Sequence, residues 1–173
     1  MNNNLNLDPL VEHSSRKKRV NSRRKGATFE RELVTKLNKK FNTKEFSRTP
    51  GSGAFATTHK NLPESLRIHG DLITPAEFKF CIEAKNGYNV NIYDLFKKRS
   101  ELINFITQAK RDATKAKRQW LLVYKKTRKK ALIVSDMNQF PIESYIEVPH
   151  LGVSIYLLDD VLLLDNSYFL LYP

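Results

Sequence analysis

Hydrophobic and polar positions repeat along this chain with two different periods. Between Gly26 and Phe41 the apolar residues Phe29, Leu33, Leu37 and Phe41 return every four positions, which predicts a helix with one buried stripe. At about 100° per residue from Phe29, Leu33 falls at about 40°, Leu37 at about 80° and Phe41 at about 120°. The two glutamates of "FERE" separate on this wheel: Glu30 falls at about 100°, inside the stripe, and Glu32 at about 300°, on the wet side. A carboxylate facing a core needs a partner, which is an arginine, a helix-end amide or a metal.

The stretch "FKFCIEAK", Phe78 to Lys85, alternates instead. Read as a strand, it sets Phe78, Phe80, Ile82 and Ala84 on one face and Lys79, Cys81, Glu83 and Lys85 on the other. Just before it, in "GDLITPAEFKF", Asp71 opens a short apolar run, Leu72 and Ile73, ahead of a turn at Pro75 and Ala76. A hairpin made this way brings Asp71 back beside Glu83. Further on, "NIYDLFKKRSELINFITQAKRDATKAKRQ" has helical spacing in its middle, with Leu102, Phe105, Ile106 and Ala109 on one face, destined for the core or a subunit interface. "QWLLVYKK" and "KALIVSD" then read as two strands joined by the basic turn "KKTRKK". The closing "VSIYLLDDVLLLD" and "YFLLY" are too apolar to stay in water throughout, so they complete the core, or cover part of it and form a partner surface.

Composition narrows what such a fold would touch. The 173 residues suit one sizeable core, and the lone Cys81 rules out an intramolecular disulfide and reads as a small buried thiol. A net charge of +12 implies a polyanionic partner, nucleic acid ahead of an anionic membrane. No apolar run approaches a membrane-spanning helix and the N-terminus lacks the order of a signal peptide, so an intracellular protein is expected, in cytoplasm or nucleoid. Residues 1–24 begin Asn-rich and run into "RKKRVNSRRK", a block of like charge read as a flexible basic arm ahead of a single domain over 25–173.

The candidate chemistry gathers where the hairpin closes. Asp71, Glu83 and Lys85 converging there can hold a hard cation through oxygen, with the lysine steadying a nucleophilic water or developing phosphate charge, an arrangement for cutting phosphodiesters. The Gly/Ser/Thr/Pro-rich loop "FSRTPGSGAFATTHKNLPESLRIHGD" has free backbone amides suited to a ligand. Its His59 and His69 lack metal-ligand spacing and are read as loop or phosphate contacts. The hairpin tip carrying Lys126 and Arg128 is suited to clamp phosphate.

Taken in order, "RKGATFEREL", "SRTPGSGA", "GDLI", "CIEAKNG", and "TQAKRDA" followed by "WLLVYKK" resemble the archaeal-type Holliday-junction resolvases and their phage-borne relatives, within the PD-(D/E)XK nuclease superfamily. The likeness extends from about Lys25 to about Val134. It implies an α/β fold with a restriction-endonuclease-like core, an N-terminal helix and a central mixed β-sheet flanked by helices. It also implies Glu30, Asp71 and Glu83 as acidic ligands, with the Ala84 carbonyl beside them, for Mg²⁺ (Mn²⁺ substituting), and Lys85 as the catalytic lysine. Arg48 is implied as a phosphate contact and Gln108 as a neighbour of the site, with Lys25, Arg31 and Ser52 as weaker DNA contacts. The expected activity is a Mg²⁺-dependent endodeoxyribonuclease that cuts four-way DNA junctions as a homodimer. A nuclease of restriction-like or repair specificity and a non-catalytic basic nucleic-acid-binding protein are the alternatives. Two departures stand out: a long insertion precedes Asp71, and the superfamily's proline before the aspartate is here Gly70, which reads as a change of spelling without chemical consequence.

Overall fold

The four-residue period becomes α1, Ser22–Phe41, with Phe29, Leu33 and Leu37 buried and Phe41 packed at the margin of the same cluster. The structure, a computed structural model, describes residues 22–50, 69–88, 90–97 and 99–171. The helix starts at Ser22, so it takes in residues 22–24, which the charge pattern had assigned to the basic arm; the rest of the arm lies outside the described residues.

Two short strands, β1 (Ser47–Arg48) and β2 (Leu72–Ile73), pair antiparallel as a ribbon of their own. The main sheet has five strands, β3 (Phe80–Asn86), β4 (Gln119–Lys125), β5 (Ala131–Asp136), β6 (Ile146–Val148) and β7 (Val153–Leu157), in the order β3-β4-β5-β7-β6. It is mixed: β3 and β4 run parallel and every other pair is antiparallel. The parallel pair needs a crossover, which α2, Glu101–Ala116, supplies. Ser100 caps the start of α2 by accepting from the Ile103 amide, and Lys117 in the left-handed region ends it.

The alternation in β3 decides which side chains face which helix. Phe80, Ile82 and Ala84 join Phe29, Leu33 and Leu37 of α1 in one cluster, whereas Cys81 joins Leu102, Phe105, Ile106 and Ala109 of α2 in the other. Both faces of β3 are therefore covered. Burial of this order, roughly 1.5–3 kcal/mol for each large side chain, holds α1 and α2 rigidly against the strand that carries Glu83 and Lys85. Cys81 is buried as expected, and burial pushes its thiol up to about 12.

The C-terminal segment completes the α1-side core. Tyr156, Leu158, Val161 and Phe169 are buried in it, and a short helix, α3 (Leu158–Val161), turns the chain back. The tail is stitched to the strand approaching β3 by the Lys79 amide on the Phe169 carbonyl (2.8 Å) and the Leu171 amide on the Glu77 carbonyl (2.8 Å). Among the described residues no helix is long and apolar enough to cross a membrane.

One expectation needs correction. β2 and β3 do not form a laddered hairpin: β2 pairs with β1, and Asp71 alone bridges to β3. The reason is local. The Asp71 amide donates to the Ile82 carbonyl (2.9 Å) and the Ala84 amide donates to Asp71 Oδ2 (2.8 Å), so one residue occupies both edge groups that a further strand would have paired.

Candidate active site

Asp71 is the keystone of the acidic cluster because its backbone and its carboxyl are both tied to β3, on either side of Glu83. Gly70 makes this possible. Its φ is +80°, and a Cβ there would lie 2.7 Å from the Ile82 carbonyl oxygen and 2.9 Å from Cys81 Sγ. Proline, fixed near −65°, is excluded on dihedral grounds, and any side chain is excluded on space. The glycine in place of proline is thus more than a spelling: it lets the chain cross the edge of β3 closely enough for Asp71 to dock. Thr49, buried beside it, donates its amide to the Asp71 carbonyl (3.0 Å) and its hydroxyl to the Gly70 carbonyl (3.2 Å). Thr49 carries no sequence signal beyond its position next to Arg48.

Glu83 is 2% exposed and Asp71 6% exposed, and the two carboxyls lie within hydrogen-bonding reach of one another. Glu83 Oε1 accepts from Gln108 Nε2 of α2 (2.6 Å) and from Lys85 Nζ. The Lys85 ammonium also stands over the Phe105 ring, 5.4 Å from its centroid, and Tyr88 meets the same ring edge-on at 4.8 Å. Phe105 therefore does more than fill the core, a role that its apolar spacing did not reveal.

Burial and mutual repulsion set the protonation of this pair. Desolvation first, and then the Asp71 charge, pushes Glu83 up to about 7. Desolvation likewise raises Asp71 against the Ala84 amide and Lys85, and Glu30 adds to the rise. Burial works against the Lys85 ammonium, but Glu83, by charge and by hydrogen bond, outweighs it and holds the lysine above its ordinary value. The pair thus has more negative charge than one lysine neutralises, and both carboxyls hold a proton more tightly than free carboxylates do.

Glu30 arrives from α1. It is 6% exposed and paired with Arg48 Nε of β1, which answers the requirement of a partner for a core-facing carboxylate with an arginine. Its charge is felt at Asp71, which places it at the flank of the cluster. Glu32 points outward as the wheel predicts, half-exposed and bound to Lys125 at 2.8 Å.

The remaining sequence-predicted residues divide by position. Gln108 is in the cluster. Lys25 lies at its rim: its carbonyl accepts from Asn86 Nδ2 (3.2 Å), just past Lys85 on β3. Lys126 and Arg128 are exposed on the β4–β5 turn, and since Asn86 is in register with Lys125, that turn leaves the sheet at the same end as Lys85. Arg31 is exposed on α1 and forms no ion pair with a described residue. Ser52 and His59 lie outside the described residues, with most of the insertion before Asp71.

Comparison with known proteins joins this geometry at one point. The family described as "Phage putative PDDEXK endonuclease" matches residues 21–155. The chain belongs to that family. Neither the curated proteins nor the solved structures contain a significant match. The match spans α1, the ribbon, the acidic cluster, α2 and the sheet as far as β7. This PDDEXK nuclease has the α/β core with a mixed central sheet flanked by helices that the resemblance implied, and DNA is the substrate class of its family.

A divalent cation is the group this family implies, and the residues fit one. Among the described residues no three acidic, histidine or cysteine side chains converge as a complete metal cage. Mg²⁺ does not require one, since it is commonly held by one or two carboxylates with water and substrate phosphate completing the shell. Two buried carboxyls within reach of one another, both raised first by desolvation, supply such a donor pair.

Proposed function

We propose that this nuclease is a Mg²⁺-dependent endodeoxyribonuclease, with Mn²⁺ able to substitute, that cuts four-way DNA junctions in pairs of strands as a homodimer. The observation that carries the reading is the double attachment of Asp71 to β3, which fixes its carboxyl against that of Glu83 beside the Lys85 ammonium.

Asp71, Glu83, the Ala84 carbonyl and, directly or through water, Glu30 would hold the cation, which when bound supplies Lewis acidity and acidifies a water. Lys85, steadied over Phe105 and against Glu83, orients the attacking water or stabilises the charge that grows on the phosphate oxygens. Gln108 keeps Glu83 turned toward Asp71. Hydrolysis in this sense leaves a 5′-phosphate and a 3′-hydroxyl. Arg48 tempers Glu30 while its partly exposed side chain faces DNA backbone phosphate, and Lys25, Lys126 and Arg128 form a basic rim at the same end of the sheet. Two equivalent strands to be cut at a junction favour a twofold assembly with two such sites.

The test uses purified protein with end-labelled DNA, either a four-way junction or a duplex of equal length, with and without Mg²⁺. Paired, Mg²⁺-dependent cuts in the junction are expected. Cutting of duplex and junction at equal rates would replace junction resolution by another nuclease specificity. Salt-sensitive binding with no product in either would leave a binding protein.

A further inference from the structure

A cross-strand row links the acidic cluster to a cavity that the chemistry above does not use. Lys85 of β3 is in register with Tyr124 of β4, Tyr124 with Leu132 of β5, and Leu132 with Leu157 of β7. Residues in register share a face of the sheet, so this row runs from the catalytic-site lysine straight into a half-open cavity of about 510 Å³, floored by Leu132, Val134, Ile155 and Leu157. The chain just after β3 crosses over the row, with the Tyr124 hydroxyl donating to the Tyr88 carbonyl (3.1 Å), and Val90 forms the near wall.

The mouth is chemically unlike the floor. Lys126, Lys129 and Lys130 of the β4–β5 turn line it, and none of the three forms an ion pair with a described residue; Lys130 lends its charge to Asp159, which Lys36 already holds at 2.6 Å. An apolar chamber behind three ammonium groups fits a ligand with a flat, weakly polar body and an anionic link, which is the make-up of a nucleotide. The position fits as well. Leu132 lies two strand spacings from Lys85, roughly 10 Å, which about three stacked nucleotides span at ~3.4 Å per step. The volume exceeds what a single base requires, and a base leaves the stack at least cost where it is already unpaired.

We propose that this cavity receives one unpaired nucleotide of the DNA being cut, its base on the Leu132 and Leu157 floor and its flanking phosphates on Lys126, Lys129 and Lys130. The proposal rests on the nuclease reading and deepens it: the enzyme recognises a branched substrate by a base released from its pair at the branch point, close to the phosphate cut.

The test separates the two readings. A pentanucleotide with 2-aminopurine at its centre is titrated with the full chain in Ca²⁺, and fluorescence is followed. Entry into the chamber, whose floor of Leu132, Val134, Ile155 and Leu157 is aliphatic, takes the base out of its stack and brightens the probe, whereas stacking on the exposed rings of Tyr93 and Phe96 would quench it. Leu132→Trp fills the chamber from a half-buried position, and Leu157→Phe does so more gently should the first variant melt early. Brightening is expected with the wild type and at least a tenfold weaker response with either filled variant. In Mg²⁺ the filled variants should lose the wild-type preference for a duplex bearing one extra unpaired nucleotide over the same duplex fully paired, and cut the paired one at the wild-type rate. Absence of brightening, quenching, or equal responses from wild type and folded filled variants overturns the proposal. A wild type that brightens the probe and cuts neither DNA keeps the cavity assignment and removes the nuclease reading.

Discussion

Glu30 and Glu32 sit on the same turn of α1 and end in opposite surroundings, one buried against Arg48 at the flank of Asp71, the other half-exposed against Lys125. Both lose one negative charge on substitution by glutamine, so the long-range field changes almost equally and only the facing differs. Glu30→Gln should lower Mg²⁺-dependent cleavage by about tenfold or more, the loss expected when an outer or direct partner of a metal site is removed. Glu32→Gln surrenders an exposed pair worth at most about 1 kcal/mol and should cut DNA nearly as the wild type does. Initial rates at saturating Mg²⁺ decide the matter, and equal impairment of the two would detach Glu30 from the site. At the same scale, the raised Glu83 makes stability depend on pH in a definite direction. Its folded form binds a proton more tightly than the unfolded chain does, with the transition moved from 4.5 to about 7, so this contribution is complete below about 4.5 and is lost as pH rises through about 7. Without divalent cations the wild type should therefore lose more stability between pH 5 and pH 8 than Glu83→Gln does in parallel urea titrations. Added Mg²⁺ should restore more of it at pH 8 than at pH 5, because only the ionised pair attracts the cation. A wild type and a Glu83→Gln variant with superimposable pH profiles would contradict the cause assigned to the shift.

At the scale of elements, the site depends on how closely the chain entering β2 crosses the edge of β3, and Gly70 controls that distance. Gly70→Ala adds a methyl group 2.7 Å from a backbone oxygen at a φ of +80°. Left-handed strain and overpacking together should cost about 2–4 kcal/mol, and cleavage should fall with it because Asp71 can no longer hold both edge groups of β3. A variant with wild-type melting temperature and activity would show that the crossing is looser than described. Much of the element scale was legible beforehand. Four-residue recurrence of Phe29, Leu33 and Leu37 located α1 and turned Glu30 inward, alternation through Phe80, Ile82 and Ala84 divided β3 between two cores, and Leu102, Phe105, Ile106 and Ala109 marked the buried face of α2. What escaped is what has no period. A two-residue strand such as β2 carries no pattern to name its partner, so β1 was missed and a hairpin expected. Thr49 and Gly70 act through backbone groups brought near only by the fold, and Phe105 looked the same as any core aromatic until Lys85 was placed over it.

Across the whole molecule, the two helices clamp β3 from opposite faces, the edge of that strand holds the acidic pair, and the basic rim of Lys25, Lys126 and Arg128 stands at the same end of the sheet. A net charge of +12 favours DNA without sequence preference, while the Asp71–Glu83 cluster is locally acidic and, on the proposed reading, must be neutralised before a phosphate can approach. Binding and cutting should therefore be separable. The most direct test sets Asp71→Ala and Lys85→Ala beside the wild type on one labelled four-way junction, measuring retention by gel shift without divalent cation and product formation in Mg²⁺. The account predicts that both variants bind the junction, Asp71→Ala at least as tightly as the wild type because a negative charge facing phosphate is gone, and that neither yields product. Product formed by Asp71→Ala at the wild-type rate would contradict it.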